Sequence, residues 1–277
     1  MVKITVLIDN NPHPQNKLLD TEHGLSLYIE FDSKKILCDM GASDKYAENA
    51  QRLGIDLKEI DFATLSHGHA DHTGGLGSFL KINQQATVYL SNKIFGRKFY
   101  SYRQECKRDI STDQELESIY PQRFDYVAGS QWINPKIALV YNDCNRFALP
   151  QANRFLTVAD DNGETPDDFS HEIALALKSR QGLVIISSCS HGGAMNIIDS
   201  CRRFTGIDKV HAFVGGLHFV DQSRTDEEVS AFVETMTAFA PNIRICTGHC
   251  TGSIAKQQLS TQKILPEVSF FHTGVVL

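Results

Sequence analysis

Long apolar runs are missing from this chain: no stretch approaches the ~18 uninterrupted apolar residues of a spanning helix, so a membrane partner is not expected and a soluble protein is. Cys-x-x-Cys pairs are missing too. The seven cysteines are an odd number and describe no disulfide framework, and Met1-Val2-Lys3-Ile4-Thr5-Val6 enters a strand pattern directly instead of a signal peptide. A reducing, cytoplasmic setting is therefore expected. Positive charge is in deficit: the net charge of −6 offers no basic field for a polyanion, which argues against nucleic acid as a partner. Solenoid periods, low-complexity segments and the longer phosphate-loop pattern are absent as well.

What is present is material for a sizeable core. With 277 residues, 42% hydrophobic and 22% charged, the chain can bury a double-sheet architecture as a single domain, residues 1–277. Strand patterns run over Ile4–Ile8, Leu25–Phe31, Ile36–Asp39 and Phe62–Leu65, with Ala86–Leu90 next. A helix with Tyr46, Ala50 and Leu53 on one face lies between the third and fourth, and a second is predicted from Gly74 to Ile82. The second half repeats this logic: a hairpin of Ile173–Leu177 and Leu183–Ser187, a helix near 196–204, a strand at Val210–Val214, a helix at about 226–239 and a strand at Ile243–Cys246. A last helix starts at Thr251-Gly252-Ser253, and Val268–Val276 reads as a closing strand.

The chemistry concentrates in Ser66-His67-Gly68-His69-Ala70-Asp71-His72-Thr73-Gly74-Gly75, three imidazoles and a carboxylate within six positions. Neutral imidazole suits zinc or iron, and an added carboxylate widens the choice to manganese. His67 and His69, separated by a glycine, can grasp one ion, while Asp71 and His72 can face another. A second ion at ~3.5–4 Å would help to activate water and steady a leaving oxygen. His191, His218 and His249 each fall just beyond a predicted strand, a placement that suits convergence on one edge.

Asp39-Met40-Gly41 after a strand, followed by the His-x-His-x-Asp-His run, resembles the metallo-β-lactamase superfamily. Glu22-His23-Gly24-Leu25-Ser26, Cys189-Ser190-His191-Gly192-Gly193, Gly215-Gly216-Leu217-His218 and Gly248-His249-Cys250-Thr251-Gly252 resemble its dihydropteroate-synthase-like branch. The resemblance implies an α/β fold, a four-layer αββα sandwich of two mixed sheets flanked by helices. It implies His67, His69 and His191 on one ion and Asp71, His72 and His249 on the other, with zinc expected and manganese or iron as alternatives. One departure stands out. Where the superfamily usually places a bridging Asp after a strand like Gly182–Ser187, this chain reads Ser188-Cys189-Ser190-His191. His191 can stand in for it, or His171 can complete the first subsite instead.

The expected reaction is hydrolysis of a small phosphoester, lactone or similar substrate through a metal-bound hydroxide, with Asp71 taking its proton. His218 is expected to donate a proton to the leaving group or to hydrogen-bond the substrate. Asp39 is expected to orient the metal loop, and His23 to touch substrate. From about 92 to 165 the chain is expected to form a lid-like insertion, whose rings (Phe95, Phe99, Tyr100, Tyr102) and cations (Arg97, Lys98, Arg103, Lys107, Arg108) suit a flat ring system and a phosphate. The other reading of those aromatics is packing on the main body. Two further functions fit the same residues: a transferase joining a dihydropterin diphosphate to an aminobenzene ribose phosphate, and a metal or ligand sensor without turnover.

Overall fold

The computed structural model describes residues 1–103, 106–221, 225–261 and 267–277. They group into two compact units, one of Met1–Ala128, Phe155–His171 and Phe271–Leu277, the other of Gly129–Arg154 and Glu172–Phe270.

In the first unit six strands form one sheet: β1 (Lys3–Ile8), β2 (Ser26–Phe31), β3 (Lys34–Cys38), β4 (Phe62–Thr64), β5 (Thr87–Ser91) and β8 (Phe124–Val127), side by side in that order. β1, β2 and β3 are antiparallel neighbours, whereas β3, β4, β5 and β8 run parallel. Parallel neighbours need crossovers, and helices supply them. α1 (Lys45–Arg52) turns Tyr46 and Ala50 inward against the sheet, and after the short α2 (Ala70–Thr73) comes α3 (Leu76–Ile82), which buries Leu76, Phe79 and Leu80 in the same core as Leu37, Ala63 and Val88. This unit also holds a four-stranded antiparallel sheet of β12 (Gly163–Pro166), β11 (Leu156–Asp160), β6 (Lys98–Arg103) and β7 (Cys106–Asp109).

The second unit repeats the pattern with seven strands, in the order β17 (Glu267–Phe270), β16 (Arg244–Thr247), β15 (Val210–Val214), β14 (Gly182–Ile186), β13 (Ile173–Ser179), β10 (Ile137–Tyr141) and β9 (Gln131–Asn134). The first four are parallel and the last four antiparallel. α5 (Ala194–Thr205), α6 (Thr225–Phe239) and α7 (Ser253–Thr261) lead from one parallel strand to the next, with Ile198, Val229, Val233, Met236 and Leu259 packed in one core with Phe213 and Ile245.

The stretch of about 92–165 contributes strands to all three sheets: β8 to the first, β9 and β10 to the seven-stranded, and β6, β7, β11 and β12 to the four-stranded. Its aromatics divide accordingly. Phe99 is fully buried, Phe95 and Phe124 pack edge to face at 5.2 Å, and Tyr102 and Tyr126 are exposed. The closing strand is also divided: β17 pairs with β16, whereas Val275 and Leu277 hydrogen-bond beside β1 after a turn at Gly274, whose φ of +81° lies in the left-handed region. Among the described residues no helix is long and apolar enough to cross a membrane.

Candidate metal centre

The His-rich loop starts where β4 ends, and a neighbouring strand end supplies its anchor. Asp39 follows β3 with φ of +59°, a backbone conformation an Asp tolerates better than most residues. That turn lets its carboxylate accept Ser66 N–H at 2.7 Å and Ser66 Oγ–H at 2.6 Å, with His72 Nδ1 at 2.8 Å from Oδ2. The tautomers follow by elimination. A carboxylate only accepts, so His72 carries its hydrogen on Nδ1. Ser66 spends its only hydrogen on Asp39, so the 2.8 Å contact between Ser66 Oγ and His67 Nδ1 requires a hydrogen on Nδ1 of His67 as well. In its neutral form each ring thus carries its lone pair on Nε2, and the two rings lie 4.3 Å apart. Ligand-type atoms of Asp39, His67 and His72 fall within 4.8 Å of one another, yet Asp39 is already occupied by three donors, so its part is to aim the imidazoles. Asp71 stands beside them, its Oδ2 3.6 Å from His72 Nε2 and 3.4 Å from Nε2 of the largely exposed His23.

His69 faces the other way. Its Nε2 points to Asp167 Oδ2 at 3.6 Å, which leaves Nδ1 on the opposite side of the ring. Asp167 also takes His171 Nε2 at 3.1 Å, while His171 Nδ1 receives the Gly68 N–H at 3.1 Å. A backbone N–H can only donate, so neutral His171 has its hydrogen on Nε2 and gives it to Asp167. Both its ring nitrogens are engaged in bracing the loop, and His69, Asp167 and His171 each bring a ligand-type atom to within 4.8 Å of one another, so His171 keeps its place as an alternative ligand. Gly68 is required here by space: a Cβ on it would lie 2.5 Å from the buried ring of Phe99, which also packs on His171 at 4.4 Å.

Burial, then the neighbouring imidazoles, pushes the His67 pKa well below its ordinary value, and burial lowers that of His69 against the opposing pull of Asp167. Neutral rings are what metal binding needs. Burial alone would raise the Asp167 pKa, but the hydrogen bond from His171 and the nearby His69 ring outweigh it and hold the carboxyl well below the usual range. The signs set a pH response for the metal-free protein. Unfolded histidines bind protons first, so stability is full above about pH 6.5 and falls as pH decreases. The Asp167 contribution is present above its unfolded pKa of about 3.9 and is lost as pH falls further through the folded value. Urea melts across this range should show both losses, and Asp167→Asn should remove the second while leaving the first; an unchanged acid limb in that variant would contradict the Asp167 assignment.

In the second unit, three adjacent parallel strands end in histidine-bearing loops: β14 leads to His191, β15 to His218 and β16 to His249, all buried. The left-handed φ values of Ser190 (+62°), His218 (+53°) and His249 (+48°) mark sharp reversals of the chain, a costly geometry that clusters at functional sites. The loops are knitted together: Ser190 Oγ donates to Gly216 O at 2.7 Å, Gly216 N–H to Ser188 O at 2.8 Å, and Leu217 N–H to Thr251 Oγ1 at 3.0 Å. Glu172 receives the N–H groups of His191 and Gly192 on its two oxygens, at 2.8 and 2.7 Å. His191 and His218 lie 4.2 Å apart, ring to ring, and both turn Nδ1 toward Asn153 Oδ1, at 3.3 and 3.0 Å. Just beyond Gly193 and Leu217 lies a cavity of about 410 Å³ walled by Phe147, Met195, Leu217, Phe219 and Phe232, with Glu228 at its side.

Asp167, Asn153 and Glu172 escaped the sequence reading because nothing in their local sequence marks them. Arg108 is exposed on β7, opposite Ser101. Its neighbour Lys107 sits 3.8 Å above the Tyr100 ring and 2.6 Å from Glu164, so that cation and ring are partnered within their own sheet.

Similarity to known proteins is found in sequence and in fold. Residues 19–103 match the sequence profile of the Metallo-beta-lactamase superfamily. Over 93% of this chain and 90% of the relative, the sequence is 28% identical to the 7,8-dihydropterin-6-methyl-4-(β-D-ribofuranosyl)-aminobenzene-5'-phosphate synthase of Methanocaldococcus jannaschii. The crystal structure of a metal-dependent hydrolase of the beta-lactamase superfamily matches all of this chain and 98% of its own, with a TM-score of 0.82 and 26% identity. The metallo-beta-lactamase fold protein YhfI from Bacillus subtilis, at 14% identity and a TM-score of 0.58 over all of this chain and 98% of its own, shares the fold alone. With two mixed sheets and their flanking helices, the chain has the α/β metallo-β-lactamase fold, and residues 19–103 carry the sequence profile of that superfamily.

Proposed function

We propose that this chain is a metal-dependent enzyme that hydrolyses a small phosphorylated substrate, or one with a similarly polarised ester or lactone bond, in a reducing cytoplasm. The observation that carries the reading is the Asp39 network, which holds His67 and His72 with their hydrogens on Nδ1, so that in the neutral form both offer Nε2 to a metal. The proposed ligands are His67, His69 and His191 for one ion and Asp71, His72 and His249 for a second, with zinc first and manganese or iron as alternatives. A bound ion supplies an activated water near neutral pH and polarises the oxygen of the bond to be broken.

The chain's own residues do the remaining work. Asp71 takes the proton of the attacking water. His23, with its ring at the Asp71 carboxylate, contacts substrate at the exposed side. A transferase is the second reading, favoured by the 28% identity to a synthase whose product carries a pterin, an aminobenzene ring and a phosphate.

Elemental analysis of protein purified without chelator tests the ligand set. About two metals per chain are expected, falling to about one in His249→Ala, as a two-ion site requires. One metal per chain, unchanged by that substitution, would remove the second subsite from the proposal. Turnover of phosphodiesters or lactones with added manganese supports hydrolysis, whereas quenching of pterin fluorescence with no hydrolytic product supports the transferase.

A further inference from the structure

We infer that Asn153 is a positioning residue that locks His191 and His218 in one tautomer, with the hydrogen on Nδ1, so that each presents an acceptor nitrogen at Nε2. The orientation of the amide is decided by its other contact. Asn153 Nδ2 lies 2.8 Å from His191 O, and a carbonyl oxygen can only accept, so that side of the amide is the NH₂ group. Oδ1 is then the atom facing the two rings, at 3.3 Å from His191 Nδ1 and 3.0 Å from His218 Nδ1. An amide oxygen has two lone pairs and no hydrogen; both rings must bring one.

This bears on the role expected of His218 from the sequence. In its neutral form His218 has no hydrogen on Nε2 to give to a leaving group, so it accepts a hydrogen bond or a proton there. Asn153 thus does with one neutral amide in the second unit what Asp39 does with a carboxylate in the first. An amide fixes the rings without adding charge, whereas a carboxylate would also strengthen them as bases.

Imidazole nitrogen correlations in the metal-free, ¹⁵N-histidine-labelled protein near neutral pH read the tautomer directly, with His191→Gln and His218→Gln assigning the signals. The Nδ1–H pattern is expected at both rings, and the Nε2–H pattern at either would overturn the inference. This readout does not depend on the metal assignment of His191, on which the next one rests. In competition with a chromophoric chelator, Asn153→Leu should weaken zinc binding about 10–100-fold, the usual effect of removing a ligand's supporting partner. Asn153→Asp keeps an acceptor for both rings and loses only the bond to His191 O, so it should stay close to the wild type. Equal weakening in the two variants would assign the effect to that backbone bond and overturn the positioning role. A wild type that binds no zinc would count against the proposed function alone, and the tautomer pattern would still decide this inference.

Discussion

Asp39→Ala is expected to destabilise the protein by about 4 kcal/mol or more, because it strands three buried donors at once, each costing about 1–3 kcal/mol without a partner. Those donors are Ser66 N–H, Ser66 Oγ–H and His72 Nδ1–H, and all sit within one fully buried network. The left-handed backbone at this position adds to the cost for alanine. Asp39→Asn keeps an acceptor oxygen and tolerates that backbone, so its loss should be smaller, though its NH₂ group meets a donor. Denaturant unfolding midpoints measure both. A loss below about 1 kcal/mol for Asp39→Ala, the worth of a single ordinary hydrogen bond, would mean that the network does not hold the loop.

Gly215→Ala should be worse, beyond the ~4–5 kcal/mol that marks exceptional substitutions, and is expected to abolish soluble folded protein. A Cβ there would lie 1.8 Å from Ser187 O, and φ of +143° already excludes most side chains. Neither strand end can retreat, since Gly215 N–H donates to Cys246 O at 3.0 Å and Ser187 N–H to Val214 O at 3.0 Å. Gly129→Ala is the control: a Cβ there meets nothing within 4 Å, and the change should be neutral or stabilise by about 0.4–1 kcal/mol through the unfolded chain. Soluble expression and thermal melting decide the comparison. Wild-type behaviour of Gly215→Ala would contradict the close approach of β14 and β15 at this point.

The contrast between what was legible in the sequence and what was not has a physical source. The His67–His72 run was legible because ligand atoms crowded in sequence have few other uses, and the strands around it because their neighbours alternate or stay apolar as burial demands. β1, β2, β15 and α5 accordingly lie within a residue or two of the expected bounds. His191, His218 and His249 were placed correctly at strand ends for the same reason. Asp167 and Asn153 were missed because their partners are remote: Asp167 sits 98 positions after His69, and Asn153 sits 38 before His191 and 65 before His218. A side chain that completes a hydrogen-bond network has no local signature until the fold supplies the other end.

The middle segment hid its strands for a different reason. Ile137-Ala138-Leu139-Val140-Tyr141 is as apolar as any core strand and is buried as one, but it lies within a stretch whose charge and rings suggested a lid-like insertion. β6 alternates inward Phe99 and Ser101 with outward residues, a period of two masked by tyrosines and cations on the outer face. β7 and β12 are exposed throughout, so no hydrophobic pattern announces them.

That exposure has a bearing on how crowded the protein can become before it self-associates. β7 and β12 are the two borders of the four-stranded sheet, and an open border is a template for another chain's backbone. Here the borders carry Lys107, Arg108 and Asp109 on one side and Glu164 and Pro166 on the other. Stacking two such borders would require stripping water from those charges, and proline offers no N–H to pair. The same residues that hid these strands from sequence inspection are the ones that discourage filament growth at high concentration.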